Sequence, residues 1–253
     1  MRLSGKVSIV TGAAAGLGRA VAIRYAHEGA IVVAADTDET GGVKLVQALK
    51  QNGLQAMFVR TDVSEEREVQ HLIGKTLGAY HRVDVLYNNA AVLSSPDDRI
   101  AHELSLETWD RVMGVNLRGP FLCAKYALPS MLEQGDGSII HLGSPTGLTG
   151  CAPNLTAYST SKAGISGLTR VMAAAYARYQ IRVNAIIPGT MDTPMNSYLL
   201  SNDELRQKYS EAVPLGRLGI PQDIEGIAVF LASEESAYCT GGLYMCDGGL
   251  TAV

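Results

Sequence analysis

Tyr158 and Lys162 stand four residues apart in the stretch Ala157-Tyr-Ser-Thr-Ser-Lys-Ala-Gly. On a helix this spacing puts both side chains on one face. A free tyrosine, with a pKa of about 10, is a poor base at neutral pH. An ammonium ~5 Å away, at an effective dielectric of ~20, stabilises the phenolate by about 3 kcal/mol, or roughly two pKa units. The pair can therefore act as a general acid and base near neutrality. Ser144 closes the apolar run Ile139–Leu142. A hydroxyl at the end of a buried strand can donate to a substrate oxygen as charge builds on it. Cys151 lies between Ser144 and Tyr158, where it could touch substrate or simply fill space as a small hydrophobe.

A second chemistry-bearing stretch lies near the N-terminus. The apolar run Val7–Val10 leads straight into Thr11-Gly12-Ala13-Ala14-Ala15-Gly16-Leu17-Gly18 and then a helical pattern. Glycines at a strand-to-helix turn let the backbone approach a pyrophosphate, whose charge the helix N-terminus attracts. The next strand ends in Asp36, a carboxylate that can accept hydrogen bonds from both hydroxyls of an adenine ribose and would repel a 2′-phosphate. No Arg or Lys follows Asp36 within seven residues. These features favour NAD over NADP. Asp36 could alternatively cap the helix that starts near Thr40.

Placing these residues together requires a framework of strands and helices. Candidate strands are Val7–Val10, Ile31–Ala35, Ala56–Arg60, Val83–Tyr87, Ser138–Leu142, Arg182–Ile187 and Leu243–Cys246. They are rich in Val and Ile with little polar alternation, as in strands covered on both faces of a parallel sheet. Helical patterns span Gly18–Glu28, Thr40–Gln51, Glu65–Ala79, Leu106–Glu133, Ser159–Arg178 and Pro221–Ser233. The alternation predicts an α/β fold: one doubly wound Rossmann-type domain over residues 1–253, with helices on both faces of a parallel sheet of about seven strands. The stretch 191–217 breaks the rhythm and is expected to form a lid over the substrate.

Composition narrows the function. The chain has 253 residues, 27 of them glycine, with 47% hydrophobic and 18% charged residues and a net charge of −4. No stretch concentrates Lys and Arg, which argues against a nucleic-acid partner. The four cysteines form no CxxC pair, and with five scattered histidines they give no metal-ligand pattern. No apolar run reaches membrane-spanning length, and the N-terminus lacks a secretory apolar region. The expectation is a cytoplasmic protein with reduced thiols and no metal.

In order along the chain, Thr11–Gly18, Asp62-Val63, Asn88-Asn89-Ala90, Asn116, Ser144, Tyr158-xxx-Lys162, Pro188-Gly189 and Asp247-Gly248-Gly249 together resemble the motifs of the short-chain dehydrogenase/reductase family. Two positions depart from the family pattern. Ala91 replaces the final glycine of its NNAG, and Gly143 replaces the first of its paired serines. The resemblance implies that Ser144, Tyr158 and Lys162 are catalytic, and that Asn116 holds a proton-relay water. It implies a cofactor shell of Gly12, Ala15, Gly16, Leu17, Gly18, Asp36, Thr37, Asp62, Val63, Asn89, Ala90, Tyr158, Lys162, Pro188, Gly189, Met191 and Thr193. Within it Asp62 and Val63 meet adenine, Asn88 and Ala90 lie near the ribose, and Pro188, Gly189 and Thr193 meet the carboxamide. From the residues alone, Asn116 could equally bind local backbone.

The segments Ala91–Pro96, Pro145–Ala157 and Met191–Leu200 should line the substrate side. They hold no Lys, Arg or His and one acid, Asp192. A carboxylate or phosphate substrate normally meets an Arg or Lys. The expected substrate is a neutral secondary alcohol or ketone held by Ser144, Cys151, Tyr158, Met191 and Met195, with Leu148, Tyr198 and Leu199 as further apolar wall. Two other readings share the motifs: a 3-oxoacyl thioester reductase, and a non-catalytic NAD-sensing protein. Family members commonly form tetramers through their long helices and C-terminal segments. Low charge and the Ala- and Gly-rich helix Ser159–Arg178 suit a homotetramer here.

Overall fold

The computed structural model describes residues 1–93, 96–197 and 201–252. Strand β1 (Val7–Thr11) is buried at every position, so its two faces each need a covering layer. Helices α1 (Gly16–His27), α2 (Glu39–Gln51) and α3 (Glu66–Tyr80) alternate with β2 (Ile31–Asp36) and β3 (Ala56–Arg60). The chain continues through β4 (Val85–Asn88), α4 (Leu106–Met113), a π-helical turn (Gly114–Arg118) and α5 (Gly119–Gln134). Then follow β5 (Gly137–Leu142), α6 (Thr156–Tyr176), β6 (Ile181–Pro188), α7 (Asp203–Glu211), α8 (Glu225–Ala232) and β7 (Leu243–Cys246).

The seven strands form one sheet in the order β3-β2-β1-β4-β5-β6-β7, and every adjacent pair is parallel. Successive side chains on a strand serve opposite layers. Val10 and Ile140 join the core beneath α1, α2 and α8, whereas Ile9 and Ile139 join the core beneath α3, α5 and α6. From β3 the chain returns across the sheet to add β4 on the other side of β1. Strand order reverses there, so a crevice opens at the carboxyl ends of β1 and β4.

Three of the differences from the sequence-based expectation bear on the framework of the site. Strand β4 starts at Val85 rather than Val83, because Asp84 is engaged differently. Its buried carboxylate accepts from the Val7 amide at 2.7 Å and is held by Arg82, so it anchors the start of β1. The expected helix Leu106–Glu133 is broken by the π turn, closed by a Gly119 N–H bond to the Gly114 carbonyl. Pro120 follows directly and has no N–H to offer the Asn116 carbonyl four residues back. Helix α6 starts earlier than expected, at Thr156, which puts Tyr158 in its first turn.

The excursion at 191–217 contains a short 3-10 turn, Pro194–Asn196, and α7, whose N-terminus Asn202 caps at 3.1 Å through the Leu205 amide. It is tied back to the body of the molecule. The Asp192 amide donates to the Gly219 carbonyl at 2.7 Å, while within the excursion Arg206 of α7 pairs with Asp192 at 2.6 Å. Tyr198, Leu199 and Leu200 lie outside the described residues. Among the described residues no helix is long and apolar enough to cross a membrane.

Candidate active site

The turn after β1 is shaped by close backbone packing. Gly12 has a φ of +65°, and a Cβ there would lie 2.7 Å from Asn89 Nδ2 and 2.9 Å from the Ala90 Cα. A Cβ on Gly18 would collide with the Gly12 carbonyl oxygen. Asn89 fixes the turn by donating from Nδ2 to the carbonyls of Thr11 and Gly12 at 3.0 and 3.1 Å. Helix α1 has Ala15 at its N-cap, without a side-chain cap, and no acid in its first turn. Its leading N–H groups therefore remain for an anion at the wall formed by Ala15, Gly16 and Leu17. A pyrophosphate fits this cradle.

Asp36 ties the end of β2 to the same turn. Its Oδ2 accepts from the Ala14 amide at 2.8 Å and its Oδ1 from the Asp38 amide at 3.0 Å. Helix α2 is capped by Asp38, which accepts from the Gly41 amide at 3.0 Å, so capping is not what Asp36 does. Each oxygen of a carboxylate has two acceptor sites, which leaves capacity for ribose hydroxyls. Beyond β3, Asp62 accepts from the Ser64 amide and hydroxyl at 2.9 and 2.7 Å and stands beside Val63.

At the ends of β5 and β6 the reactive side chains gather. The Ser144 oxygen accepts from the Thr146 amide at 3.3 Å and from its hydroxyl at 3.0 Å. A hydroxyl that accepts from that amide can still turn its own proton toward a substrate oxygen. Lys162 is only 3% exposed and donates from Nζ to the Leu142 carbonyl at 2.8 Å. Nζ lies 5.6 Å from the centre of the Tyr158 ring. Burial lowers the Lys162 pKa from 10.5 to about 8. Neighbouring His141, wholly buried on β5, is pushed down to about 3 by desolvation and then by Lys162, so it is neutral at pH 7.

Asn116 sits in the π turn, with its amide committed to backbone. It accepts from the Val92 amide at 2.8 Å, donates to the Val92 carbonyl at 2.9 Å, and reaches Ser161 Oγ at 3.3 Å.

These residues border one cleft of about 660 Å³. Gly12, Ala15, Gly16, Leu17, Asp36, Thr37, Asp62, Val63, Asn89, Ala90, Pro188, Gly189, Met191 and Thr193 line it, together with Ser144, Tyr158, Lys162 and Met195. Five expected residues lie off its wall, and no residue of the segment Pro145–Ala157 lines it; Leu148, for one, is exposed. Gly18 packs against Gly12. The Asn116 side chain is buried behind Val92. Asn88 points into the core, where Nδ2 donates to the Pro120 carbonyl at 3.3 Å and meets His141 at 3.2 Å, so its neighbour Asn89 takes the cleft position. Cys151 is exposed in a separate hollow with Pro96, Arg99 and Tyr209.

Sequence reasoning missed Thr146, Arg111 and Arg118. Thr146 carried a local signal, a hydroxyl two residues after Ser144 in a Ser-Pro-Thr turn. Arg111 and Arg118 join Gly114 on the cleft wall. Gly114 faces Ser64, so this cationic stretch serves the Asp62 end rather than the Tyr158 end. Among the described residues no three His, Cys, Asp or Glu side chains are grouped to hold a metal.

The comparisons with known proteins agree with this geometry. The family model described as enoyl-(acyl carrier protein) reductase matches residues 12–251. The chain belongs to the short-chain dehydrogenase/reductase family. It is an oxidoreductase of that type, with a site built for a nicotinamide cofactor. An uncharacterized oxidoreductase of Thermotoga maritima is 41% identical over 98% of this chain and 97% of its own length. The 3-oxoacyl-[acyl-carrier-protein] reductase of the same organism is 37% identical over 99% of both chains. A candidate NAD(P)-dependent gluconate 5-dehydrogenase from Beutenbergia cavernae, whose crystal structure holds NADP at low occupancy, superposes with a TM-score of 0.93. It is 34% identical and covers 99% of this chain and 98% of its own.

Within the short-chain dehydrogenase/reductase framework, Gly143 has a close neighbour on β6. A Cβ at this position would collide with the Ile187 Cδ1. A serine there would require only the tip of the Ile187 side chain to turn aside. Ala91 lies on the cleft wall beside Ala90 and Val92.

Proposed function

We propose that this protein transfers hydride reversibly between NAD(H) and a neutral secondary alcohol or ketone. The observation that carries the reading is a single cleft with Ser144, Tyr158 and Lys162 at one end and Asp36 at the other. The glycine turn and the uncapped N-terminus of α1 would hold the pyrophosphate, Asp36 the adenine ribose, and Lys162 the nicotinamide ribose. When bound, the dinucleotide supplies or accepts the hydride. Tyr158 takes the proton of the alcohol in oxidation and returns it to the oxygen in reduction. Ser144, held in place by Thr146, donates to that oxygen and stabilises its growing charge. Lys162 keeps a positive charge beside the phenol and so favours its ionised form.

NAD rather than NADP is supported by the acids around the ribose position. Asp36 is followed by Thr37, Asp38 and Glu39, and Arg60 at the end of β3 is paired with Glu68 at 2.9 Å. A neutral substrate is supported by the cleft wall, where Ala91, Val92, Met191, Met195 and Asn196 bring no charge and the described cations besides Lys162 are Arg111 and Arg118 of the Gly114 stretch. The similarity to a 3-oxoacyl-[acyl-carrier-protein] reductase favours a second reading, reduction of a 3-oxoacyl thioester. We further propose a homotetramer, and a reducing cytoplasmic setting that suits the four free cysteines.

A spectrophotometric panel tests these readings. NADH and NADPH are offered with matched neutral and anionic ketones, the corresponding alcohols and a 3-oxoacyl thioester. The expected result is turnover with NADH and neutral ketones. Preference for NADPH or for an anionic ketone overturns the corresponding part, and preference for the thioester selects the second reading. Tyr158→Phe should lower kcat by roughly 10²–10⁴-fold, the usual contribution of a general acid or base, while NADH still binds.

A further inference from the structure

Helix α6 carries Tyr158 in its first turn, where four N–H groups have no partner within the helix. The N-cap, Leu155, supplies no side-chain acceptor, and no acid lies in the first turn. The cap comes instead from a distant stretch of chain. Asp98, in the connection between β4 and α4, is 3% exposed. Its Oδ1 accepts from the Ala157 amide at 3.0 Å and its Oδ2 from the amide of Tyr158 itself at 2.8 Å.

The other end of the same residue is also held. The Tyr158 carbonyl accepts from Ser161 Oγ at 2.7 Å, and Ser161 is contacted by Asn116. Asn116 in turn grips both backbone groups of Val92, on the cleft wall in the same connection that carries Asp98. Tyr158 is thus held at its amide by Asp98 and at its carbonyl by Ser161, which Asn116 links to Val92.

We propose that Asp98 is a positioning residue for the reaction: its buried carboxylate sets the place of Tyr158 by holding that residue's own amide, and ties it to the substrate-side connection. The inference rests on the reading of Tyr158 as acid and base. Misplacing a reacting group by about 1 Å can cost as much as ~10²-fold in rate. The pyrophosphate and adenine-ribose cradle lies on other elements, α1 and the ends of β1 and β2, and α6 brings only Tyr158 and Lys162 to the cofactor, so NADH affinity should follow Asp98 far less than kcat does.

The test compares Asp98→Ala and Asp98→Asn with wild type. Asparagine keeps one acceptor oxygen and so rescues in part. The expected order of kcat is wild type, Asn, Ala, with Ala down by about tenfold or more and the Kd for NADH within about twofold. Retention of kcat within about twofold in folded Asp98→Ala overturns the proposal, as does a fall of kcat and NADH affinity together. Should the alanine variant fail to fold, the asparagine variant decides by the same split. Hydrogen exchange of the Ala157 and Tyr158 amides provides a readout independent of turnover. Unchanged protection in the variants removes the cap. A wild type that binds NADH but turns over no member of the substrate panel sinks the hydride-transfer reading, while the exchange result still decides the cap.

Discussion

Lys162 is charged in a place that gives charge little help. Its ammonium has one carbonyl partner and almost no solvent, and its pKa falls from 10.5 to about 8. The sign of the consequence follows from proton counting. Between pH 8 and 10.5 the unfolded chain holds this proton and the folded chain does not, so stability rises with pH across that window. At lower pH the native state carries a penalty of about 3 kcal/mol for the buried charge, and that penalty serves the site rather than the fold. Urea denaturation of wild type and Lys162→Met at stepped pH should reveal it. The difference in unfolding free energy should move in favour of wild type from pH 8 to pH 10.5. A difference that stays constant across that range would contradict the assignment. At this scale much of the site is legible in sequence, because Tyr158 and Lys162 stand one helical turn apart and Ser144 ends an apolar run. Asp98 is not legible. It acts on Tyr158 from 60 residues away, and the only local trace is an N-terminal turn of α6 without a cap of its own.

At the scale of elements, the strands were the easiest to read, since β1, β2 and β5 are apolar on both faces. The boundary of β4 was not, because a buried aspartate in an apolar run looks like any other interruption until Val7 is seen to need an acceptor. The π turn also escapes pattern reading. Apolar spacing through 106–133 suits a continuous helix, and the extra residue in the turn changes hydrogen bonding more than composition. The pairing of β5 with β6 gives a direct test of the Gly143 departure. Gly143→Ser should lower stability by at most about 1 kcal/mol, because the added Cβ meets only the movable tip of Ile187. Ile187→Val removes the colliding methyl, so the double variant should recover part of the loss in thermal unfolding. Independent, additive losses would show that the two side chains do not meet.

For the whole molecule, the low charge and apolar exposure concern assembly. Phe121 on α5 is 48% exposed and Val171 on α6 is 63% exposed. These are large apolar side chains on the helices through which the proposed homotetramer would associate. Sedimentation at micromolar concentration should give a tetramer, and Phe121→Asp with Val171→Asp should give smaller species; a monomeric wild type overturns the assembly. The sheet order has a separate consequence for how the chain is made. Strand β1 is synthesised first but remains unpaired on one side until β4 arrives, because Ile9 and Val10 find Leu86 and Tyr87 there. During that interval β1, β2 and β3 present an open, apolar edge in the middle of the future sheet. Synthesis stalled before Val85 would leave that edge as a template for another nascent chain, so the period of greatest aggregation risk falls in the middle of translation.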